Sequence, residues 1–234
     1  MNGKIYLIPV TLGGDDYKQV IPEQVLILTR SLRYFVVENI RSARRYLRLI
    51  DKSFPIDETI FYELNEHTND SELSNFLEPV IKGKDIGLMS EAGLPGIADP
   101  GTNLIAAAHV RNIQIVPLAG PSSIILALIS AGMNGQNFTF NGYLPVKPTD
   151  RDAKLKEIEK RSKSGEAQIF METPYRAQKL LESILKVCSG GTRLCIAADV
   201  TLQTEYIKTR IISDWKKDPP HLEDRLIIFI MMSG

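Results

Sequence analysis

The sequence predicts an α/β protein built as two consecutive α/β domains. Short apolar runs rich in Val, Ile and aromatic residues recur between longer stretches of helical spacing, the pattern of strands alternating with helices around a mostly parallel sheet. The alternation reaches a turn at Ala119-Gly120-Pro121-Ser122-Ser123 and begins again, which divides the chain into residues 1–118 and 119–234. With 234 residues, 44% of them hydrophobic, the length fits one large domain or two small ones, and the restart decides for two.

In the first half, strands are expected at residues 5–9, 34–38, 85–89 and 113–118. Residues 40–50 set Ile40, Ala43, Leu47 and Ile50 on one helical face and Arg41, Arg44, Arg45 and Arg48 on the other. That arginine row fits either a solvated helix surface or a phosphate-holding one, since guanidinium forks pair bidentately with phosphate. The second half opens with an apolar segment at residues 124–131. Strands are expected at 138–143, 167–171, 194–198, 205–210 and 226–231, with helices near 151–163 and 175–187. An antiparallel hairpin late in this half, ending in a helical turn near Asp214, follows from the alternation after Thr204. Residues 145–150 read as a loop within the second domain.

Charge and cysteine content narrow the function classes. Charged residues are 24% of the chain and balance to zero, so a nucleic-acid partner requires a local basic patch. Cys188 and Cys195 have no metal-ligand spacing around them and read as buried free thiols. His67, His109 and His221 are too scattered for a metal cluster or a catalytic triad, so no metal is expected. The first residues lack the long apolar region of a signal peptide, and no segment is long enough to span a bilayer. A cytoplasmic location without membrane attachment is therefore the expectation.

Two loops stand out. Ser90-Glu91-Ala92-Gly93-Leu94-Pro95-Gly96-Ile97-Ala98-Asp99-Pro100-Gly101 directly follows a predicted strand. Its glycines and prolines fix turns and allow close backbone approach at the carboxyl end of a strand, where open α/β sheets bind ligands. The bland reading is a structural loop in which Asp99 caps a helix beginning near Thr102. The second loop is Gly120-Pro121-Ser122-Ser123, where helix-start amides and hydroxyls suit a carboxylate or ribose. Neither loop has the lysine of a phosphate-binding loop or a Gly-x-Gly-x-x-Gly run, which argues against a nucleoside triphosphate site.

Taken together, these stretches resemble the tetrapyrrole methylase family, and within it the branch that methylates a cytidine ribose 2′-hydroxyl of small-subunit ribosomal RNA. Five motifs carry the resemblance in order: Glu38-Asn39-Ile40-Arg41, residues 90–101, residues 119–122, residues 140–147, and Glu172-Thr173-Pro174-Tyr175-Arg176. The resemblance implies two α/β domains of the tetrapyrrole methylase type, S-adenosylmethionine as methyl donor in the cleft between them, and a homodimer. It maps the donor site onto Pro9, Leu12, Ser90, Gly93, Ile97, Ser122 and Ser123, with Met171, Ala197 and Ala198 flanking the adenine. Departures fall at residues 9–15, at Asn39 in place of the family's aspartate, and at Asp199-Val200-Thr201-Leu202, which lacks the family's lysine; the extra C-terminal part of longer members has no counterpart.

Methyl transfer from a sulfonium is an in-line displacement, so alignment and charge stabilisation outweigh the need for a strong base. A hydroxyl nucleophile must still lose its proton. Glu38, Glu91 and Glu172 are the candidate bases because each closes a predicted strand or its loop, and each is equally able to pair with Arg41 or Arg176. Arg41, Arg44, Arg45 and Arg176 are the candidate acceptor-binding residues. Three readings follow: a ribosomal RNA ribose methyltransferase, a methyltransferase for a small or macrocyclic tetrapyrrole-like molecule, and a donor-binding relative without catalysis.

Overall fold

A computed structural model describes residues 2–65 and 68–234; His67 lies outside the described residues. The chain divides into two compact units, Met1–Ser122 and Ser123–Gly234. The first alternates strand and helix throughout: β1 (Lys4–Leu7), α1 (Glu23–Ser31), β2 (Tyr34–Val37), α2 (Ile40–Ile50), β3 (Ile60–Glu63), α3 (Asp70–Ile81), β4 (Ile86–Met89), α4 (Gly101–Val110) and β5 (Gln114–Pro117). Its sheet has the order β3-β2-β4-β1-β5, and all its pairings are parallel.

Helices cover both faces of this sheet. Val25 and Leu26 of α1 join Leu47 and Ile50 of α2 around Phe35 in one cluster, while Leu73, Phe76 and Leu77 of α3 join Leu104 and Ala108 of α4 around Ile86 in another. Of these elements, α1, β3 and α3 go beyond the sequence expectation. The short strand β3 is a sheet edge whose run of Ile60, Phe61 and Tyr62 is a β-branched and aromatic signal that the sequence reading passed over. Helix α3 did carry a readable start, the capping box of Asn69 and Glu72.

The second unit comprises α5 (Ser123–Ser130), β6 (Phe138–Tyr143), α6 (Pro148–Ser162), β7 (Ala167–Glu172), α7 (Pro174–Val187), β8 (Arg193–Ala198), β9 (Tyr206–Ile211), α8 (Ile212–Trp215) and β10 (Ile227–Met232). Its sheet order is β6-β7-β10-β8-β9. Only β6 and β7 are parallel; β10 runs antiparallel to both β7 and β8, and β8 and β9 form the expected antiparallel hairpin. The expectation of a mostly parallel sheet is thus corrected here, because an apolar strand covered on both faces reads alike in either direction. Helix α6 starts at Pro148, inside the stretch read as loop, with proline in its first turn where no amide donor is needed. Both cysteines are buried and free, and burial pushes the Cys188 thiol up to about 12, which makes it a packing residue.

Asn39 occupies the N-cap of α2, and its Oδ1 accepts the Ser42 N–H at 3.0 Å. Asparagine and aspartate are comparable caps, so the replacement at this motif position preserves the helix start. Asn39→Ala is expected to cost about 1 kcal/mol of stability and Asn39→Asp almost nothing, as read from urea denaturation midpoints.

Candidate functional site

The sheet order of the first unit creates a crevice at one place. After β1 the chain crosses to β2 on one side, and after β4 it crosses to β5 on the other, although β1 and β4 are neighbours. Open parallel sheets bind ligands at the carboxyl ends of strands where connections diverge in this way. The loops after β1 and β4 meet there through two backbone bonds, Val10 N–H to the Gly93 carbonyl at 2.9 Å and Gly93 N–H to the Thr11 carbonyl at 3.4 Å.

Small residues allow that meeting. Gly93 has φ +70°, and a Cβ there would lie 3.1 Å from Leu12 Cδ2 and 3.4 Å from the Pro121 carbonyl. A Cβ on Gly120 would lie 2.1 Å from Pro9 Cβ, so the turn after β5 packs directly on the loop after β1. Pro9, Leu12, Gly93 and the turn at residues 120–121 therefore form one neighbourhood, with Leu12 buried. Ser90 turns its hydroxyl to the Ala92 carbonyl at 3.2 Å, and the Ile97 side chain is exposed on the same long loop. Tyr46 closes the base of the first loop by donating to the Pro9 carbonyl at 3.3 Å, and burial holds its phenol above the ordinary range.

Carboxylates gather at the ends of β2 and β4. Glu38 Oε2 accepts the Glu91 backbone N–H at 3.1 Å, and Glu91 Oε1 accepts the Ser42 hydroxyl at 2.8 Å. Burial lifts the Glu38 carboxyl above the usual range; the Glu91 amide pulls it down, and the Glu91 and Asp99 carboxylates lift it again. Asp99 bridges the end of the loop by accepting the Gly96 N–H at 2.8 Å and the Gly101 N–H at 2.8 Å. Pro100 occupies the N-cap position of α4, one residue later than expected, yet it is the Asp99 carboxylate that takes the N–H of the helix's first residue, Gly101. Glu38, Ser90, Pro95 and Asp99 line a small pocket floored by Leu64, Leu88 and Met89. Ser42 and Tyr46 escaped the sequence reading; the only signal for Ser42 was its place three residues after a cap.

The remaining sequence-derived residues lie in the second unit. Met171 and Ala197 both stand opposite Ile228 of β10, and Glu172 and Ala198 both stand opposite Ile227. Ala197 and Ala198 are fully buried, whereas Met171 keeps partial access. Ser123 is the first residue of α5, and Ser122 precedes it. The buried Glu172 carboxylate accepts the Thr173 N–H at 2.7 Å and the Arg176 Nε at 2.9 Å, so Glu172 and Arg176 hold each other. Just past β8, Asp199 adopts φ +51° and accepts the Arg225 Nε at 2.8 Å and the Thr204 hydroxyl at 3.0 Å. Thr201, β-branched, adopts φ +76° in the same loop.

Arg41, Arg44, Arg45 and Arg48 are exposed along α2, and among the described residues none makes an ion pair. Arg44 lies over the Phe61 ring at 5.3 Å, and Arg48 donates to the Lys52 carbonyl at 2.6 Å. His109 ends α4 and His221 sits 3.5 Å from Glu223 on the surface. Among the described residues no group of three His, Cys, Asp or Glu side chains is placed to hold a metal, and no helix is long and apolar enough to cross a membrane.

Comparison with known proteins adds ancestry to this geometry. Residues 27–213 match the family model of tetrapyrrole (corrin/porphyrin) methylases. Ribosomal RNA small subunit methyltransferase I of Vibrio cholerae serotype O1 is 31% identical over 206 residues, covering 87% of this chain and 67% of the relative. The protein of that name from Buchnera aphidicola subsp. Schizaphis graminum is 28% identical over 99% of this chain and 79% of its own. Among solved structures, the methyltransferase CobJ is similar with a TM-score of 0.64 at 17% identity, over 99% of this chain and 95% of that one. Cobalt precorrin-4 methyltransferase CbiF follows the same fold with a TM-score of 0.59 at 14% identity, over 98% of this chain and 94% of that one.

Gly93 combines a left-handed backbone with a close neighbour, Leu12 Cδ2, 3.1 Å from where a Cβ would lie. Gly93→Ala is expected to destabilise the protein by about 1–2 kcal/mol, from the left-handed backbone alone, with a drop in Tm that calorimetry reads.

Proposed function

The chain belongs to the tetrapyrrole methylase family and is an S-adenosylmethionine-dependent methyltransferase, and we propose that it methylates a ribose hydroxyl of small-subunit ribosomal RNA. The observation that carries this reading is the exposed arginine row of α2, without ion pairs among the described residues, which begins one turn from the carboxylates at the ends of β2 and β4. A chain of zero net charge in which four arginines of one helix make no ion pair among the described residues presents a surface suited to a polyanion. The named relatives from Vibrio and Buchnera support the same acceptor.

The residues of the first unit fit the donor. Bare backbone at Gly93, where a Cβ would meet Leu12, offers close approach, and Pro9, Leu12 and Ile97 offer apolar contact. Ser90 and Ser122 supply hydroxyls suited to the ribose and amino-acid ends. When bound, S-adenosylmethionine supplies an electrophilic methyl group whose departure leaves a neutral thioether. The protein's part is to align the acceptor oxygen and take its proton as the new C–O bond forms.

Glu38 is proposed as that proton acceptor. It lines the pocket, and its raised proton affinity suits a base, whereas Glu172 is bound up with Arg176 and Glu91 with Ser42. Arg41, Arg44 and Arg45 then hold phosphates of the acceptor, while Arg176 orders the end of β7. Asn39 keeps the helix cap that an aspartate would also give, which supports an intact helix start at this motif. The cytoplasm, where the proposed ribosomal substrate lies, is the proposed location, and a homodimer is the proposed assembly, which sedimentation velocity reads directly.

Glu38→Gln is expected to lower kcat by about 10²–10⁴-fold with KM for the donor nearly unchanged. Because the Glu38 carboxyl titrates above the ordinary range, the wild-type rate should fall on its acid side at a pH above that range. The function itself is tested by transfer of a radiolabelled methyl group to small ribosomal subunits and by fluorescence titration with a ribosomal RNA fragment. Binding should weaken with salt, and Arg44→Ala with Arg45→Ala together should flatten the log–log salt slope by about two. No labelling of ribosomal RNA, together with labelling of a tetrapyrrole, would move the acceptor to the macrocyclic class.

A further inference from the structure

Zero net charge conceals an uneven division between the two units. Residues 1–122 hold twelve basic against fifteen acidic side chains, whereas residues 123–234 hold sixteen basic against thirteen acidic. Part of the second unit's excess lies on α6. Its apolar side, Leu155 and Ile158, is spent in the core, and its outer side carries Lys156, Lys160 and Lys163, all exposed, at the spacing of a single stripe. Lys163 is the C-cap and keeps helical backbone angles, so it continues the row. The nearby carboxylates are engaged elsewhere. Glu157 pairs with Lys154 at 2.8 Å, Glu166 pairs with Arg161 at 3.0 Å, and the buried Glu159 takes the Ser189 N–H at 2.7 Å and the Thr192 hydroxyl at 2.6 Å. Among the described residues neither the three lysines nor Asp152, one turn before Lys156, make an ion pair.

Like charges three and four residues apart repel along a helix. The helix dipole favours cations in the last turn, which accounts for Lys160 and Arg161, but Lys156 lies a turn earlier and gains little from it. We propose that Lys156, Lys160 and Lys163 form a second phosphate-binding surface, which holds the sugar–phosphate backbone of the RNA acceptor in addition to the arginine row of α2. This rests on the reading of RNA as the acceptor. Successive lysines of the stripe stand about 6 Å and about 4.5 Å apart along the helix axis. Their flexible stems let each ammonium meet a different phosphate as a point charge. Such contacts hold the backbone without reading base edges, so the surface adds affinity and leaves sequence choice to other residues. Phospholipid headgroups offer similar charge, but the apolar side of α6 is already buried and the stripe continues toward the helix start only through Ala153 and Thr149, with nothing to insert among acyl chains.

The test is a salt titration of the full chain's binding to a fluorescent small-subunit ribosomal RNA fragment, with calorimetry of S-adenosylmethionine binding beside it. Lys156→Ala, Lys160→Ala and Lys163→Ala together should weaken RNA binding and flatten the log–log salt slope by about two to three, with donor affinity unchanged. Lys156→Arg, Lys160→Arg and Lys163→Arg together should keep the wild-type slope, because they keep the charge. An unchanged slope in the alanine variant, while Arg44→Ala with Arg45→Ala still flattens it, overturns the proposal and leaves the RNA reading standing. No salt-dependent RNA binding by the wild type overturns both. If phosphatidylserine vesicles bind the wild type and not the alanine variant, and the two bind RNA equally, the stripe belongs to a membrane surface and the proposal is overturned. Should the alanine variant fail to fold, lysine acetylation of the wild type decides: RNA should protect Lys156, Lys160 and Lys163 and leave Lys82 of α3 reactive, and equal acetylation of the stripe with and without RNA overturns the proposal.

Discussion

The adjacency of β1 and β4, parallel neighbours whose chains leave the sheet in opposite directions, is the constraint on which the first unit depends. Parallel strands require long crossovers, and here those crossovers put α1 and α2 on one face and α3 and α4 on the other. Neither set of helices covers the carboxyl ends of the two central strands. The loops that emerge there must pass each other closely, which is why Gly93 sits at φ +70° against Leu12 and why Gly120 rests on Pro9. A hydrogen-bonded pair of loops over a crevice gives a ligand an ordered backbone wall without large side chains in the way.

Electrostatics divide the same region. Acidic side chains end the strands, with Asp99 spent on loop amides and Glu38 lifted by burial, while the basic side chains line the outer face of α2. A net charge of zero hides this separation, since it averages a local acid cluster against a local arginine row. The helix that displays the arginines is anchored by Leu47 and Ile50 in the core and by Asn39 at its start, so the row is presented by a rigid element.

The second unit uses ion pairs to hold its strand ends. Glu172 with Arg176 and Asp199 with Arg225 are largely removed from water, and each carboxylate also takes backbone or hydroxyl donors. Breaking such a pair leaves an uncompensated charge, so these contacts fix the loops that follow β7 and β8 more than they add to net stability. The left-handed backbone at Asp199 and Thr201 is held in place by that bonding, with the Thr201 N–H given to Glu205 at 2.8 Å.

Most of the architecture was legible in the residues. Strands β1, β2, β4 and β5 and the helix α2 are marked by β-branched runs and by a 3.6-residue period, and the loop at residues 90–101 is marked by its glycines and prolines. These are local signals, set by backbone sterics and by which side chains avoid water. Strand direction in the second sheet and the pairing of Glu172 with Arg176 in preference to Arg41 depend on chain partners far apart or on choices among equals, which composition does not encode. The sequence by itself determined an alternating α/β chain in two halves with a glycine-rich loop after a strand. Only the tertiary structure decided that Glu38, Ser42 and Glu91 meet, because burial and a neighbour's hydrogen bond exist only once β2, α2 and the loop after β4 are packed together.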